Sequence, residues 1–248
     1  MEIRRTPALI LKSIDWSETS KILTCFSKDF GKISLMVRGA KRPKSNFRGL
    51  CEPLHHIDLI YDFKEQRDLN IVREIDLNTN YSDALSQKYE HFYYTLGLME
   101  LLDVCLEDSD ANQEIFLSII KSLDSIKSCK HPESFFFKFY LELIHFLGYQ
   151  FSFKTCGSCG MDLSDTFQYQ IEYGIVCRNC ENELIANQIN QKMFACFKTI
   201  QLIEYDNLDK ISINKKLQSD MLHIINSFVN YHLNTKIRLK SLSYILNT

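Results

Sequence analysis

Apolar positions recur at every second place through the first third of the chain, and from Ser82 they recur at every third or fourth. The alternating part contains Ala8-Leu9-Ile10-Leu11 and Lys21-Ile22-Leu23-Thr24-Cys25-Phe26, joined across Asp15-Trp16-Ser17-Glu18. Ile33, Leu35 and Val37 follow the turn Asp29-Phe30-Gly31-Lys32, then Ile57, Leu59, Tyr61 and Phe63, then Leu69-Asn70-Ile71-Val72. Side chains on a strand point alternately to two faces, so each run predicts a half-buried strand. Five short strands with turn signals between them predict a small closed barrel such as an OB-fold, although an SH3-like barrel would give the same strand count.

From Ser82, placed as an N-cap, the period becomes helical through Leu85, Tyr89, Phe92, Leu96, Met99 and Leu102. Asp110 is expected to cap a second helix carrying Ile115, Ile119, Ile120, Leu123 and Ile126. Pro132 opens a third, from Phe135 to Leu147, and Gly148 stops it. Its run of aromatics between Phe135 and Tyr140 reads as core and not as a base-stacking platform. Two more helices are expected around Asn190–Tyr205 and Leu217–Leu233. The basic-apolar segment Thr235 to Ser241 reads as the end of the last helix.

The helical pattern is interrupted by Cys156 and Cys159, then by Cys177 and Cys180. Two C-x-x-C pairs at this separation are the spacing of a structural Zn(Cys)4 site. Each pair turns two thiolates toward one ion, and the alternating Phe167–Tyr173 segment supplies a hairpin that brings the pairs together. Gly157, Gly160 and Gly174 stand where such turns need backbone freedom. Two disulfides, or four unrelated core cysteines, are the other readings of these residues. Four sulfur ligands leave no open position, so the metal would be structural, supplying folding free energy to a module too small for its own core.

The chain of 248 residues carries a net charge of only -2, but unevenly. Residues 1–80 are net +3, residues 81–150 net -6, residues 151–185 net -3 and residues 186–248 net +4. Between the third and fourth strands, Arg38, Lys41, Arg42, Lys44 and Arg48 occur within eleven residues that hold no acidic group. A Gly and a Pro keep this segment irregular. Such a loop either stays solvated for solubility or grips phosphates in a salt-dependent, sequence-blind way. Phe47 could stack on a base or turn into the core, and Arg4, Arg5 and Lys21 are secondary candidates. Nine cysteines, four of them spaced for metal, point to a reducing compartment, and the other five (Cys25, Cys51, Cys105, Cys129, Cys196) read as buried apolar residues. No signal peptide or membrane span is expected. No phosphate loop, dinucleotide fingerprint, zincin helix or nucleophile elbow occurs, and the histidines are scattered. No catalytic set is therefore assigned, and His55-His56 reads as structural.

The chain as a whole resembles the bacterial recombination mediator RecO family. The likeness lies in Ser17–Thr24, in Gly31–Arg42, in the Lys240-Ser241 ending and in the complete cysteine set. It implies an α+β multidomain protein: an OB-fold barrel at 1–80, and a helical domain at 81–150 and 186–248 interrupted by a zinc knuckle at 151–185. It also implies single- and double-stranded DNA binding, annealing of complementary strands, and work with RecR and single-stranded-DNA-binding protein to help load RecA. A non-enzymatic, cytoplasmic, nucleoid-associated protein is expected. The acidic, apolar-ended tail of the single-stranded-DNA-binding protein would need cations on the helical half, for which Lys236, Arg238 and Lys240 are the candidates. A zinc-ribbon regulatory factor without annealing activity is the rival reading. A thiol oxidoreductase would want a βαβ frame, and a metal-dependent nuclease would want a carboxylate cluster.

Overall fold

A computed structural model describes residues 2–67, 69–149, 151–163, 167–180 and 189–246. Five strands form a closed barrel in the order β1-β2-β3-β5-β4. They are β1 (Glu2–Trp16), β2 (Ser20–Ser27), β3 (Gly31–Val37), β4 (His55–Phe63) and β5 (Asn70–Asn80). Closure depends on the length of β1. Its first half pairs antiparallel with β4, from Glu2↔Phe63 to Leu9↔His56, and its second half with β2, from Ala8↔Ser27 to Trp16↔Ser20. The register shifts between Ile10 and Lys12, a bulge that bends the strand from one partner to the other. The apolar run Ala8–Leu11 marks only the middle of this strand, because its ends have one face toward water. A short parallel contact, Leu35↔Asn70 and Met36↔Ile71, joins β3 to β5. Ala8, Ile10, Leu23, Cys25, Leu35, Val37, Ile57, Leu59, Tyr61, Val72 and Ile75 fill the interior. Each buried Leu or Ile contributes roughly 1.5–3 kcal/mol by leaving water.

The chain forms two compact units that divide between Leu123 and Asp124. In the first, α1 (Tyr81–Leu85), α2 (Tyr89–Cys105) and the start of α3 (Gln113–Ile126) accompany the barrel. The Phe116 ring lies 5.8 Å from Phe26 and 5.9 Å from His56, covering apolar groups on the outside of the barrel. Lys32 Nζ donates to the carbonyls of Asp103 (3.0 Å) and Leu106 (2.6 Å), where a cation favours the C-terminus of α2. The junction expected at residue 80 is the change from β5 to α1. The caps differ from expectation: Asn80 accepts from the Asp83 N–H and Asn112 from the Ile115 N–H, not Ser82 or Asp110. The first helix is also broken at Ser86–Lys88. The buried face of α2 is Tyr94, Leu98, Leu101, Leu102 and Cys105, leaving Tyr89 exposed.

In the second unit α4 (Pro132–Phe146) is the core element. Phe136, Phe137, Phe139 and Tyr140 are fully buried, and Gly148 ends the segment at φ +86°. Around it lie a hairpin of β6 (Phe167–Gln170) and β7 (Gly174–Cys177), α5 (Gln191–Leu202), α6 (Lys215–His232) and α7 (Lys240–Leu246). Lys138 on α4 is buried, and its ammonium donates to the carbonyls of Gln201 and Ile203 at 3.0 and 3.1 Å, closing the C-terminus of α5. The last helix does not run through Thr235–Ser241 as expected. α6 stops at His232, Asn234 takes φ +46°, and α7 begins afresh at Lys240. The division expected at 185/186 lies outside the described residues. Among the described residues no helix is long and apolar enough to cross a membrane.

Candidate metal centre and nucleic-acid interface

The metal centre is built by two turns and a hairpin. The Cys156 N–H donates to the Met161 carbonyl at 2.7 Å and the Gly160 N–H to the Cys156 carbonyl at 2.9 Å, curling the first pair. β7 ends on Cys177, and a 3-10 turn, Arg178–Cys180, carries the fourth cysteine. The Gly157 N–H donates to the Ile175 carbonyl at 2.8 Å, tying the first turn to the hairpin. Gly160 and Gly174 have φ of +75° and +74°, as expected of turn positions. Gly157 serves differently: a Cβ there would lie 1.7 Å from the Tyr173 carbonyl oxygen, so close approach and not positive φ requires glycine. The strand expected at Phe167–Tyr173 is shorter, because Ile171, Glu172 and Tyr173 form the hairpin turn.

Sγ atoms of Cys156, Cys159, Cys177 and Cys180 all lie within 4.8 Å of one another. Cys159 and Cys177 are 3.9 Å apart, far beyond a disulfide of about 2.05 Å. A tetrahedral zinc with Zn–S of about 2.3 Å requires sulfurs about 3.8 Å apart, so the donor set fits the ion. The Cys177 N–H donates to Cys156 Sγ at 3.3 Å. Burial opposes ionisation of Cys156, but N–H donors of Cys159, Cys177 and Ser158 outweigh it and bring the thiol down to about 6. Cys180 is pushed up to about 12, chiefly by its hydrogen bond with Cys159. Four sulfurs so close together ionise jointly only around a cation.

The hairpin also has contacts with the helical unit besides the cysteine cluster. Tyr169, Ile175 and Val176 are buried, and Tyr169 Oη lies 2.6 Å from Ser227 Oγ of α6. The Phe153 and Phe197 rings stack at 4.7 Å, and Phe151 lies 4.7 Å from Phe228, so the module shares the aromatic core of the helical unit. The remaining cysteines differ among themselves. Cys25, Cys51 and Cys105 are buried, whereas Cys129 and Cys196 are only half-buried. Burial pushes the thiols of Cys51 and Cys196 up to about 11 and that of Cys105 up to about 12.

The basic loop is a series of tight turns, with Arg42 N–H donating to Gly39, Ser45 to Arg42, Arg48 to Ser45 and Leu50 to Phe47. It is pinned to the β1–β2 turn by the Lys41 N–H, which donates to the Thr19 carbonyl at 2.9 Å. Lys41 Nζ also meets Asp15 at 2.6 Å, and holds that carboxyl below its usual range. Asp15 is the acidic partner that the sequence pattern did not reveal. Arg38, Arg42, Lys44 and Arg48 are exposed and have no carboxylate partner among the described residues. Arg42 and Arg48 line a cleft of about 350 Å³ together with Lys41, Lys21 and Glu52. Phe47 packs against the barrel core. Of the secondary candidates, Lys21 pairs with Glu52 at 2.6 Å, while Arg4 pairs with Glu2 at 2.8 Å and its guanidinium covers the Phe63 ring. Arg5 is exposed. His55 is buried and its Nδ1 donates to the Leu50 carbonyl at 3.2 Å, a structural arrangement.

Lys236 and Arg238 are exposed in the segment linking α6 to α7, either side of the buried Ile237, and Lys240 is exposed at the start of α7. Arg238 and Lys240 border a groove of about 450 Å³ whose apolar wall includes Leu222, Ile237, Leu239 and Leu242. Lys236 lies outside that lining.

Two family models match the chain: Recombination protein O N terminal over residues 1–81, and Recombination protein O C terminal over residues 86–243. A protein named DNA repair protein RecO from Caldanaerobacter subterraneus is 27% identical, with all of both chains covered. Its namesake from Chloroherpeton thalassium is 26% identical over 93% of each chain, and that from Clostridium novyi 26% identical over 92% of this chain and 89% of its own.

Proposed function

This chain belongs to the Recombination protein O family, and on that premise we propose that it is a non-enzymatic mediator of DNA repair by recombination. It binds single- and double-stranded DNA and anneals complementary strands. With RecR and single-stranded-DNA-binding protein it helps load RecA, acting in the cytoplasm at the nucleoid. The observation that carries the reading is the loop's four exposed cations that have no carboxylate partner among the described residues, in a chain whose relatives are named for DNA repair. Strands approach for annealing only when phosphate repulsion is lowered by contacts weak enough to let them shift register. Exposed cations carried on a closed barrel suit that task. The strand order β1-β2-β3-β5-β4, with β1 shared between two partners, supports the OB-fold reading over the SH3-like one.

Zinc, when bound, cross-links the two turns at Cys156, Cys159, Cys177 and Cys180, and its four sulfur ligands leave no position for a substrate. The tail of single-stranded-DNA-binding protein is assigned to the groove at Arg238 and Lys240. Its acidic residues would meet those cations and its apolar end the Leu222 and Leu242 wall. Labelled complementary oligonucleotides with the purified full chain, without nucleotide, test the function. Annealing faster than the protein-free rate is expected. Tight DNA binding without acceleration would overturn annealing and favour the zinc-containing regulatory factor.

A further inference from the structure

Trp16 is the chain's single tryptophan, yet it stands 54% exposed at the end of β1. Ile14, two positions back on the same face of β1, is exposed as well, so the indole is part of an apolar patch on the barrel surface. The register supplies its surroundings. Trp16 pairs with Ser20, Lys21 pairs with Val37, and Arg38 is the first residue of the turn that follows β3, so the indole and the start of the basic loop lie at the same end of the barrel. The next rank along the barrel is Ile14, Ile22, Met36 and Ile71, paired in that order. Ile14 is 58% exposed and the other three are half-buried. The basic loop is tied to the same end, through Lys41 to Thr19 and Asp15.

From this juxtaposition we infer that Trp16 is a base-stacking platform. A single strand held at its phosphates by the loop cations lays an unstacked base on the indole, beside the apolar rank of Ile14 and Ile22. The inference rests on the DNA-binding reading of the loop and adds to it. Cations alone grip single and double strands alike, whereas only a single strand offers a free base face, so Trp16 confers preference for single strands. The occupant is a polyanion with aromatic faces because this end of the barrel carries an exposed indole and, at the start of the loop, a cation, Arg38, that no carboxylate of the described residues neutralises. The sequence left Phe47 open to a base or to the core, and the core takes it up.

The lone tryptophan is its own reporter. Titrating the full chain with an oligothymidylate is expected to quench Trp16 emission, saturating together with the anisotropy of the same oligonucleotide carrying a label. Trp16→Ala is expected to weaken single-strand binding roughly 5- to 150-fold. It should leave the salt slope and duplex binding unchanged, since no charge is removed. Trp16→Tyr, which keeps an aromatic face and controls for folding, is expected to restore most of the affinity. Unchanged emission at saturation, with Trp16→Ala binding as tightly as the wild type, overturns the inference. If the variant neutralised at Arg42, Lys44 and Arg48 still loses salt dependence in that case, the loop reading stands alone; if it does not, both fail. Emission that depends on protein concentration and not on DNA, with self-association abolished by Trp16→Ala, assigns the face to a second copy and also overturns the inference.

Discussion

Replacing Arg42, Lys44 and Arg48 together by glutamine isolates what the loop does. All three are exposed and have no carboxylate partner among the described residues, so their removal breaks no ion pair seen in the fold. The fourth such cation, Arg38, is left in place because it lies at the Trp16 end of the barrel, directly after β3. Lys41 is kept because it anchors the loop to Asp15. Each phosphate of a single strand that no longer meets a cation lowers the slope of log K against log salt by about 0.7, so three such phosphates lower it by about 2. A fourfold rise in salt then weakens the wild type about 18-fold more than the variant. Anisotropy titrations at several salt concentrations, on homopolymeric and mixed-sequence strands, measure the slope. A thermal melt unchanged from the wild type shows that the fold is intact. A variant with the wild-type slope would refute the reasoning, since the phosphates would then run over another surface. Loss of binding to one sequence and not others would refute it differently, by showing base readout.

Cys177→Ser is expected to lose stoichiometric zinc by elemental analysis, while the barrel core of Ile10, Leu23 and Leu59, in the other compact unit, keeps its hydrogen-exchange protection. Gly157→Ala should also lower zinc content although every ligand remains, because its Cβ would sit 1.7 Å from the Tyr173 carbonyl oxygen. Lys138→Met removes the buried ammonium that closes α5 and lies 3.7 Å from Glu142; it is expected to destabilise the second unit by about 3 kcal/mol, read as faster exchange of α5 amides. Charge reversal at Lys236, Arg238 and Lys240 should weaken binding of an acidic, apolar-ended peptide and leave zinc content unchanged. Equal affinity in that variant would place the peptide elsewhere.

The sequence by itself determined those features whose cause is local. The C-x-x-C spacing fixes which sulfurs can converge, and the period-two runs from Ala8 to Val72 require strands that bury one face. Likewise, Pro132 and Gly148 bracket a helix whose aromatics must be core. What depends on partners distant along the chain was decided only by the tertiary structure. β1 could not be seen to extend from Glu2 to Trp16, because its polar ends are strand only through pairing with β4 and β2. The helix caps moved to Asn80 and Asn112 because Ser, Asp and Asn all qualify in the sequence, and the chain's path selects among them. The loop cations looked equivalent until Asp15 claimed Lys41 and left the other four without a carboxylate partner among the described residues. Phe47, open in the sequence to either a base or the core, went to the core, and Trp16 was left exposed, for the same reason. An aromatic side chain is core or surface according to what folds over it, and no local pattern encodes that cover.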